Sequence, residues 1–161
     1  ILTVGFTPKA YVVPHEASHI ALATMTRGKS ATEEYRFIDE GWASIIGSGF
    51  AGYKDKYKDE AVSVASSEMK KGNLNFKTVR NWTKYFGNWQ TVKREGVKRN
   101  YDAYNVGASF VYYLIDSYGE KKYRIFLVAL GKETDLNSAL LKVYGKLEDE
   151  VQKEWKNYVD K

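Results

Sequence analysis

Apolar residues recur at helical spacing along most of the 161-residue chain, and glycines follow several of these apolar stretches. A glycine in that place commonly ends a helix, because it adopts the left-handed conformation that closes the last turn. The pattern predicts a mainly α-helical chain, with helices over about 12–27 (ended by Gly28), 30–46 (Gly47), 58–71 (Gly72), 104–118 (Gly119), 120–130 (Gly131), 135–144 (Gly145) and 147–159.

Two local signals suggest where the first helices begin. Pro14 is expected in the first turn of the first helix, where its missing N–H has no intrahelical partner. Ser30-Ala-Thr-Glu33 has the spacing of a capping box, so the second helix is expected to begin at Ser30. The two helices would then form an antiparallel hairpin.

Residues 104–118 are apolar on nearly every face, which predicts the central, buried helix of the fold. Leu2 to Phe6 resembles a strand, but five residues cannot form a sheet alone. We find no repeat, low-complexity tract or linker, so residues 1–161 are expected to form one domain. A chain that opens on Ile1 rather than Met is compatible with the C-terminal part of a longer protein.

Composition narrows the available chemistry. With 43% hydrophobic and 28% charged residues the chain is expected to be globular, and no apolar run approaches the roughly 18 residues of a membrane span. The absence of cysteine excludes disulfides, thiolate zinc sites and cysteine nucleophiles. Because there are only two histidines, any histidine chemistry must fall on His15 or His19.

These two histidines stand four residues apart on the first predicted helix, with Glu16 directly after the first, in an H-E-x-x-H pattern. Residues i and i+4 share a helix face, so His15 and His19 could bind one Zn²⁺ while Glu16 reaches a water on the metal. The alternative is two surface histidines on an ordinary amphipathic helix.

Zinc needs a third protein ligand, and Glu40 is the preferred candidate. From His19 the first helix rises about 12 Å to its end, and the second descends about 15 Å from Ser30 to Glu40. An antiparallel hairpin would therefore return Glu40 to the level of the histidines. Three nearby carboxylates remain alternatives: Glu33, Glu34 and Asp39.

His15-Glu-Ala-Ser-His19, followed after twenty residues by Glu40-Gly-Trp-Ala43, resembles the H-E-x-x-H and E-G-x-A motifs of the gluzincin metallopeptidases, particularly the compact peptidase-MA-like group. Residues 104–119, a tyrosine leading a hydrophobic run that ends in Tyr-Gly, are similar to a later helix of that family. Residues 139–145 and the pair Glu154-Trp155 also resemble its C-terminal part.

The resemblance implies a zincin-like helical metallopeptidase domain, with a short N-terminal strand at most from a reduced or missing upstream sheet. It implies His15, His19 and Glu40 as zinc ligands, Glu16 as general base and then general acid, and Tyr104 as a hydrogen-bond donor to the developing oxyanion. The expected reaction is zinc-dependent hydrolysis of peptide bonds in a peptide or protein substrate. Three further tyrosines are alternatives to Tyr104: Tyr101, Tyr112 and Tyr113.

The sequence departs from the family pattern in two ways. Gluzincins usually carry an upstream sheet whose edge strand pairs with the substrate, whereas only fourteen residues precede His15. In thermolysin-like members an acidic residue four positions after the ligand glutamate holds a zinc histidine, and here that position is Ser44. The sequence does not set a cellular location, although the resemblance favours the cell envelope or exterior.

The net charge of +5 is concentrated in residues 70–100, which hold nine Lys or Arg and one Glu, for a local charge of +8. Aromatic residues are interleaved with these charges, as in surfaces that hold anionic polymers. The alternative function is therefore a catalytically inactive, metallopeptidase-like module that binds an anionic partner through this basic segment. No nucleic-acid motif accompanies the charges, so nucleic acid is not the expected partner, and a solvated basic face is the simpler explanation.

Overall fold

The computed structural model describes residues 8–81 and 98–161; for residues 8, 9 and 98–102 only the backbone is described. The described helices are α1 (Pro8–Met25), α2 (Arg36–Phe50), α3 (Lys54–Lys70), α4 (Phe76–Val79), α5 (Lys98–Tyr118), α6 (Glu120–Lys132), α7 (Leu136–Tyr144) and α8 (Glu148–Val159). Two 3₁₀ turns, Lys29–Ala31 and Glu33–Tyr35, connect α1 to α2. No strand occurs in these residues, which confirms the mainly α prediction, and the strand predicted at Leu2 to Phe6 lies outside them.

Helix α5 is the centre of the fold, as its all-round apolar sequence predicts, and it packs against α2, α3, α6 and α8. Phe110 lies at the middle of this core, with its ring centroid 5.4 Å from that of Phe37 on α2 and 5.1 Å from that of Trp155 on α8. The indole N–H of Trp155 donates to Ser109 Oγ at 3.1 Å, so the one polar group of this buried ring is satisfied. Burial of these aromatic surfaces is the main force that holds α2 and α8 on α5.

Helices α2 and α5 cross with their backbones in direct contact. A Cβ on Gly41 would lie 2.5 Å from the carbonyl oxygen of Gly107, and a Cβ on Gly107 would lie 3.1 Å from the carbonyl carbon of Phe37. Only glycine fits at either position, because any side chain would separate the two helices. The crossing fixes the depth of α2 in the fold, and therefore the place of Glu40, the residue before Gly41.

Four predicted helix starts are wrong, and two of them are simply late: α3 begins at Lys54 rather than at about 58, and α5 begins at Lys98 rather than at about 104. Helix α1 begins at Pro8, and Pro14 lies inside the helix, where it cannot donate a hydrogen bond to Ala10. Pro8 suits the first helical position as well as Pro14 does, so the local signal could not choose between the two prolines. Helix α2 begins at Arg36 rather than Ser30, because residues 29–35 form the two 3₁₀ turns.

The predicted glycine stops divide into two groups. Four of them have positive φ angles of 70–86° and follow a helix end as predicted: Gly28, Gly72, Gly119 and Gly145. Gly47 and Gly131 instead lie inside α2 and α6, so those two stops are wrong. A Cβ on Gly131 would lie 2.7 Å from the carbonyl carbon of Thr26, so this glycine permits close packing rather than a chain reversal.

Two of the four basic residues in the described residues 70–81, Lys71 and Arg80, take part in contacts within the fold. Phe76 is buried in the core, Lys71 pairs with Glu68 at 2.5 Å, and Arg80 pairs with Glu148 on α8. The other two basic residues, Lys70 and Lys77, are exposed to solvent. Residues 82–97, which carry four of the five aromatic and three of the nine basic residues of this segment, lie outside the described part of the chain.

Membrane insertion can be judged for the same described ranges. None of the helices within residues 8–81 and 98–161 combines the length and apolarity that crossing a bilayer requires. This agrees with the prediction of no transmembrane segment for that part of the chain.

A hydrogen-bonded carboxylate ties α8 to α5. Glu154 Oε2 accepts from the hydroxyls of Tyr113, at 2.8 Å, and Tyr118, at 2.5 Å, while Oε1 pairs with Lys146. Burial by itself would raise the pKa of Glu154, but the hydrogen bonds from Lys146, Tyr118 and Tyr113 outweigh it and lower the pKa. A carboxylate with a lowered pKa stabilises the folded state when it is ionised.

We expect Glu154→Gln to remove a part of the stability that depends on pH. The ionised carboxylate of Glu154 stabilises the folded state at pH values above its pKa in the unfolded chain, which is about 4.3. This stabilisation is lost as the pH falls through the lower pKa of Glu154 in the folded state. Because its side chain is 35% exposed, solvent screening limits the loss at pH 7 to about 1 kcal/mol. Urea unfolding at pH 7 and pH 3 measures the free energy of unfolding of both proteins. The difference between wild type and Glu154→Gln should be smaller at pH 3 than at pH 7, and an equal difference at both pH values would contradict this assignment.

The helix crossing predicts opposite effects for two glycines of α2. Gly41→Ala should lower the free energy of unfolding by about 2–3 kcal/mol, because its Cβ meets the backbone of Gly107. Gly49→Ala is the control, since its Cβ would approach only Lys54 Cδ, at 3.9 Å, and alanine favours the helix by up to about 1 kcal/mol. Thermal or urea unfolding of both variants checks the difference, and equal stabilities would refute the close crossing.

Candidate metal centre

The histidines lie on the side of α1 that faces α2. His15 is 8% exposed and His19 is half-buried, and their rings meet edge to face with centroids 4.9 Å apart. The four-residue spacing puts both rings on one helix face, as the sequence predicts. Glu40, also 8% exposed, reaches them from α2.

The carboxylate of Glu40 stands between both imidazoles. Its Oε2 lies 3.5 Å from Nε2 of His15 and 3.7 Å from Nε2 of His19, while Oε1 lies 3.6 Å from Nε of Arg36. Arg36, one turn earlier on α2, thus holds the oxygen that faces away from the histidines. Glu40 Oε2 is buried and has no hydrogen-bond partner among the described residues.

These distances suit a small metal ion. Ligands at about 2.0–2.2 Å from a tetrahedral zinc lie about 3.3–3.6 Å from one another. Among the His, Cys, Asp and Glu side chains of the described residues, one group of three could hold a metal ion: His15, His19 and Glu40. The ligand atoms of this group, one from each residue, all lie within 4.8 Å of one another. A buried carboxylate oxygen without a hydrogen-bond partner also calls for a cation or a proton at this point.

Asp39 has a role that the sequence did not reveal. This alternative ligand places its Oδ2 2.8 Å from Nδ1 of His19, on the side away from Glu40. This hydrogen bond is the largest cause that raises the pKa of His19; burial opposes it, and the charges of Asp39, Glu40 and Glu16 add to it. With Nδ1 held by Asp39, Nε2 of His19 faces Glu40, as a metal ligand requires.

The remaining alternative ligands lie elsewhere. Glu33 and Glu34 are exposed in the second 3₁₀ turn, and Glu34 lies 3.8 Å from Arg80. Ser44, at the position where thermolysin-like enzymes carry an acidic residue, does not hold a histidine here. Asp39, directly before Glu40, accepts the hydrogen bond from His19 instead. This contact joins α1 and α2, so it is visible only in the tertiary structure.

Tyr11 is a second neighbour that sequence analysis missed. It lies one turn before His15 on α1, with the two rings stacked at 5.2 Å and 28°. Burial raises the pKa of the Tyr11 hydroxyl; the Ser44 hydroxyl opposes this, and the charges of Glu40 and Glu16 add to it. The spacing of four residues on one helix was the signal that could have identified it.

The proposed catalytic residues lie around this cluster. Glu16 is exposed on α1, near enough to His19 for its charge to help raise the pKa of that histidine. The half-buried ring of Tyr104 lies 6.4 Å from that of His15. The hydroxyls of Tyr112 and Tyr113 donate elsewhere, to Lys54 O and to Glu154, and the side chain of Tyr101 is outside the described part.

Comparison of the chain with protein-family models, curated proteins and solved structures finds no match. What this cluster can do therefore has to be inferred from its own residues. Two imidazole nitrogens and one carboxylate oxygen form a donor set suited to a divalent metal, and an exposed carboxylate stands beside it.

The Asp39 contact predicts an effect on metal affinity. Asp39→Asn should weaken zinc binding about 10–100-fold, because the amide orients His19 less firmly and does not increase its basicity. Competition with a chromophoric chelator measures the affinity, and Asp59→Asn, at an exposed position of α3, is the matched control. Equal affinities of the Asp39 variant and wild type would show that Asp39 does not support the site.

Proposed function

We propose that this chain is a zinc metallopeptidase of the gluzincin type, which hydrolyses peptide bonds in peptide or protein substrates. The observation that carries the proposal is the convergence of His15 Nε2, His19 Nε2 and Glu40 Oε2, at 3.5 and 3.7 Å across the helix pair. The H-E-x-x-H and E-G-x-A motifs that supply these residues resemble the gluzincin pattern. A structural ion pair explains the same cluster less well, because Glu40 Oε2 lacks a hydrogen bond.

The residues fit the proposed metal. His15, His19 and Glu40 would hold it with three protein ligands, the number found in catalytic zinc sites. When bound there, zinc would polarise a substrate carbonyl and lower the pKa of a water molecule toward about 7. Arg36 and Asp39 keep Glu40 and His19 in place from the two sides.

The proton transfers fall to Glu16. Its exposed carboxylate would accept the proton of the attacking water and pass it to the nitrogen of the leaving amine. Tyr104, near His15, would donate a hydrogen bond to the oxygen on which negative charge develops, which stabilises the transition state by a few kcal/mol. Exposure of Glu16 beside a buried ligand set allows a long peptide to reach it.

Two substitutions separate metal binding from hydrolysis. Glu16→Gln should retain zinc but lose at least about 100-fold in peptide cleavage, because glutamine cannot accept the proton. His19→Ala should lose both zinc and cleavage, because two protein ligands remain. Metal analysis of the purified variants and a mass-spectrometric digest of a peptide library measure the two properties, and Glu60→Gln on α3 is the matched control for the first substitution.

Cleavage by Glu16→Gln at the wild-type rate would refute the mechanism, and a wild type that takes up no zinc would refute the function. Zinc binding without cleavage of any library peptide would favour the inactive binding module instead. That module would hold an anionic polymer with an affinity that falls steeply as salt is added.

A further inference from the structure

The two histidines of the candidate metal centre are held in different ways. The Nδ1–H of His19 donates to Oδ2 of Asp39, the arrangement usual for a ligating histidine. His15 is more deeply buried, and its Nδ1 has no hydrogen-bond partner among the described residues. Its ring must therefore be oriented by packing.

That packing is provided by stacked aromatic rings. The ring of Tyr11 lies against His15, with centroids 5.2 Å apart and planes 28° apart. On its other side Tyr11 stacks on Tyr53 at 6.4 Å and 15°, and Tyr53 meets the buried Tyr57 edge to face at 6.3 Å. We call these four rings, His15, Tyr11, Tyr53 and Tyr57, the aromatic column. It joins α1 to α3, so the plane of the His15 ring cannot tilt without displacing Tyr11.

Gly47 of α2 closes the column from a third side. A Cβ at this position would lie 2.8 Å from two ring carbons of Tyr11. Atoms at that distance overlap, and the ring, already enclosed by His15 and Tyr53, would have to shift. This contact explains why a glycine stands inside α2 at a point where the sequence predicts the helix to end.

We propose that Tyr11 is the positioning residue for His15 and that Gly47 supplies the space for its ring. Stacking in the aromatic column takes the place of the hydrogen bond that fixes the orientation of His19. The proposal rests on the proposed function, because it assigns Tyr11 a task in zinc binding. It adds a residue outside both sequence motifs to the machinery of the site.

Zinc affinity of four variants tests the proposal. Tyr11→Leu and Gly47→Ala should each weaken zinc binding about tenfold, whereas Tyr11→Phe, which keeps the ring, should stay within about twofold of wild type. Gly49→Ala is the control for the second change, because its Cβ would approach only Lys54, at 3.9 Å. Competition with a chelating dye gives the affinity, and circular dichroism confirms that each variant is folded.

A folded Tyr11→Leu or Gly47→Ala variant with wild-type zinc affinity would overturn the proposal, and so would an equal loss in Tyr11→Phe. NMR of the metal-free protein gives a second measurement that does not depend on zinc or on folding of a variant. His15 ring protons that are shifted upfield and show nuclear Overhauser contacts to Tyr11 support the stacking; their absence overturns it. A wild type that binds no zinc refutes the proposed function, and the NMR result then decides the role of Tyr11 separately.

Discussion

The arrangement of the candidate centre depends on the backbone contact between Gly41 and Gly107. Because neither residue has a side chain, α2 lies directly on the buried helix α5 and cannot move outward or rotate without losing that contact. Glu40 precedes Gly41, so the same contact sets the direction in which its carboxylate points. Burial of Phe37 and Phe110 on both sides of the crossing supplies the apolar contact that holds it closed.

Around the carboxylate of Glu40, polar neighbours orient some of the side chains in the cluster and aromatic neighbours orient others. Asp39 and Arg36 act through charge and hydrogen bonds on His19 and Glu40. The buried His15 is enclosed by rings, which cost no desolvation of a further charge. One side of the cluster is therefore buried and closely packed, while Glu16 is exposed to solvent. The proposed hydrolysis needs both properties, because the metal ligands must stay in place and a substrate must reach Glu16.

The sequence predicted the helices better than the connections between them. Residues 30–35 were expected to form the first turns of the second helix, and they form 3₁₀ turns instead. Glu40 nevertheless reaches the histidines, because what places it is the packing of α2 on α1 and α5 rather than the path of the connection. Gly47 and Gly131 are predicted as helix ends but lie inside helices. The sequence does not distinguish a glycine that permits close packing from a glycine that ends a helix.

The sequence by itself determined the mainly helical fold, the buried helix α5, and the pair His15 and His19 on one face of α1, since these follow from local periodicity. It also singled out Glu40 among four nearby carboxylates, with the help of a family resemblance. Only the tertiary structure decided that Asp39 holds His19 and that Tyr11 stacks on His15. Helical spacing determines which residues share one face of a helix. Which residue of a neighbouring helix contacts that face depends on how closely the two helices pack, and Gly41 and Gly107 set the position of α2.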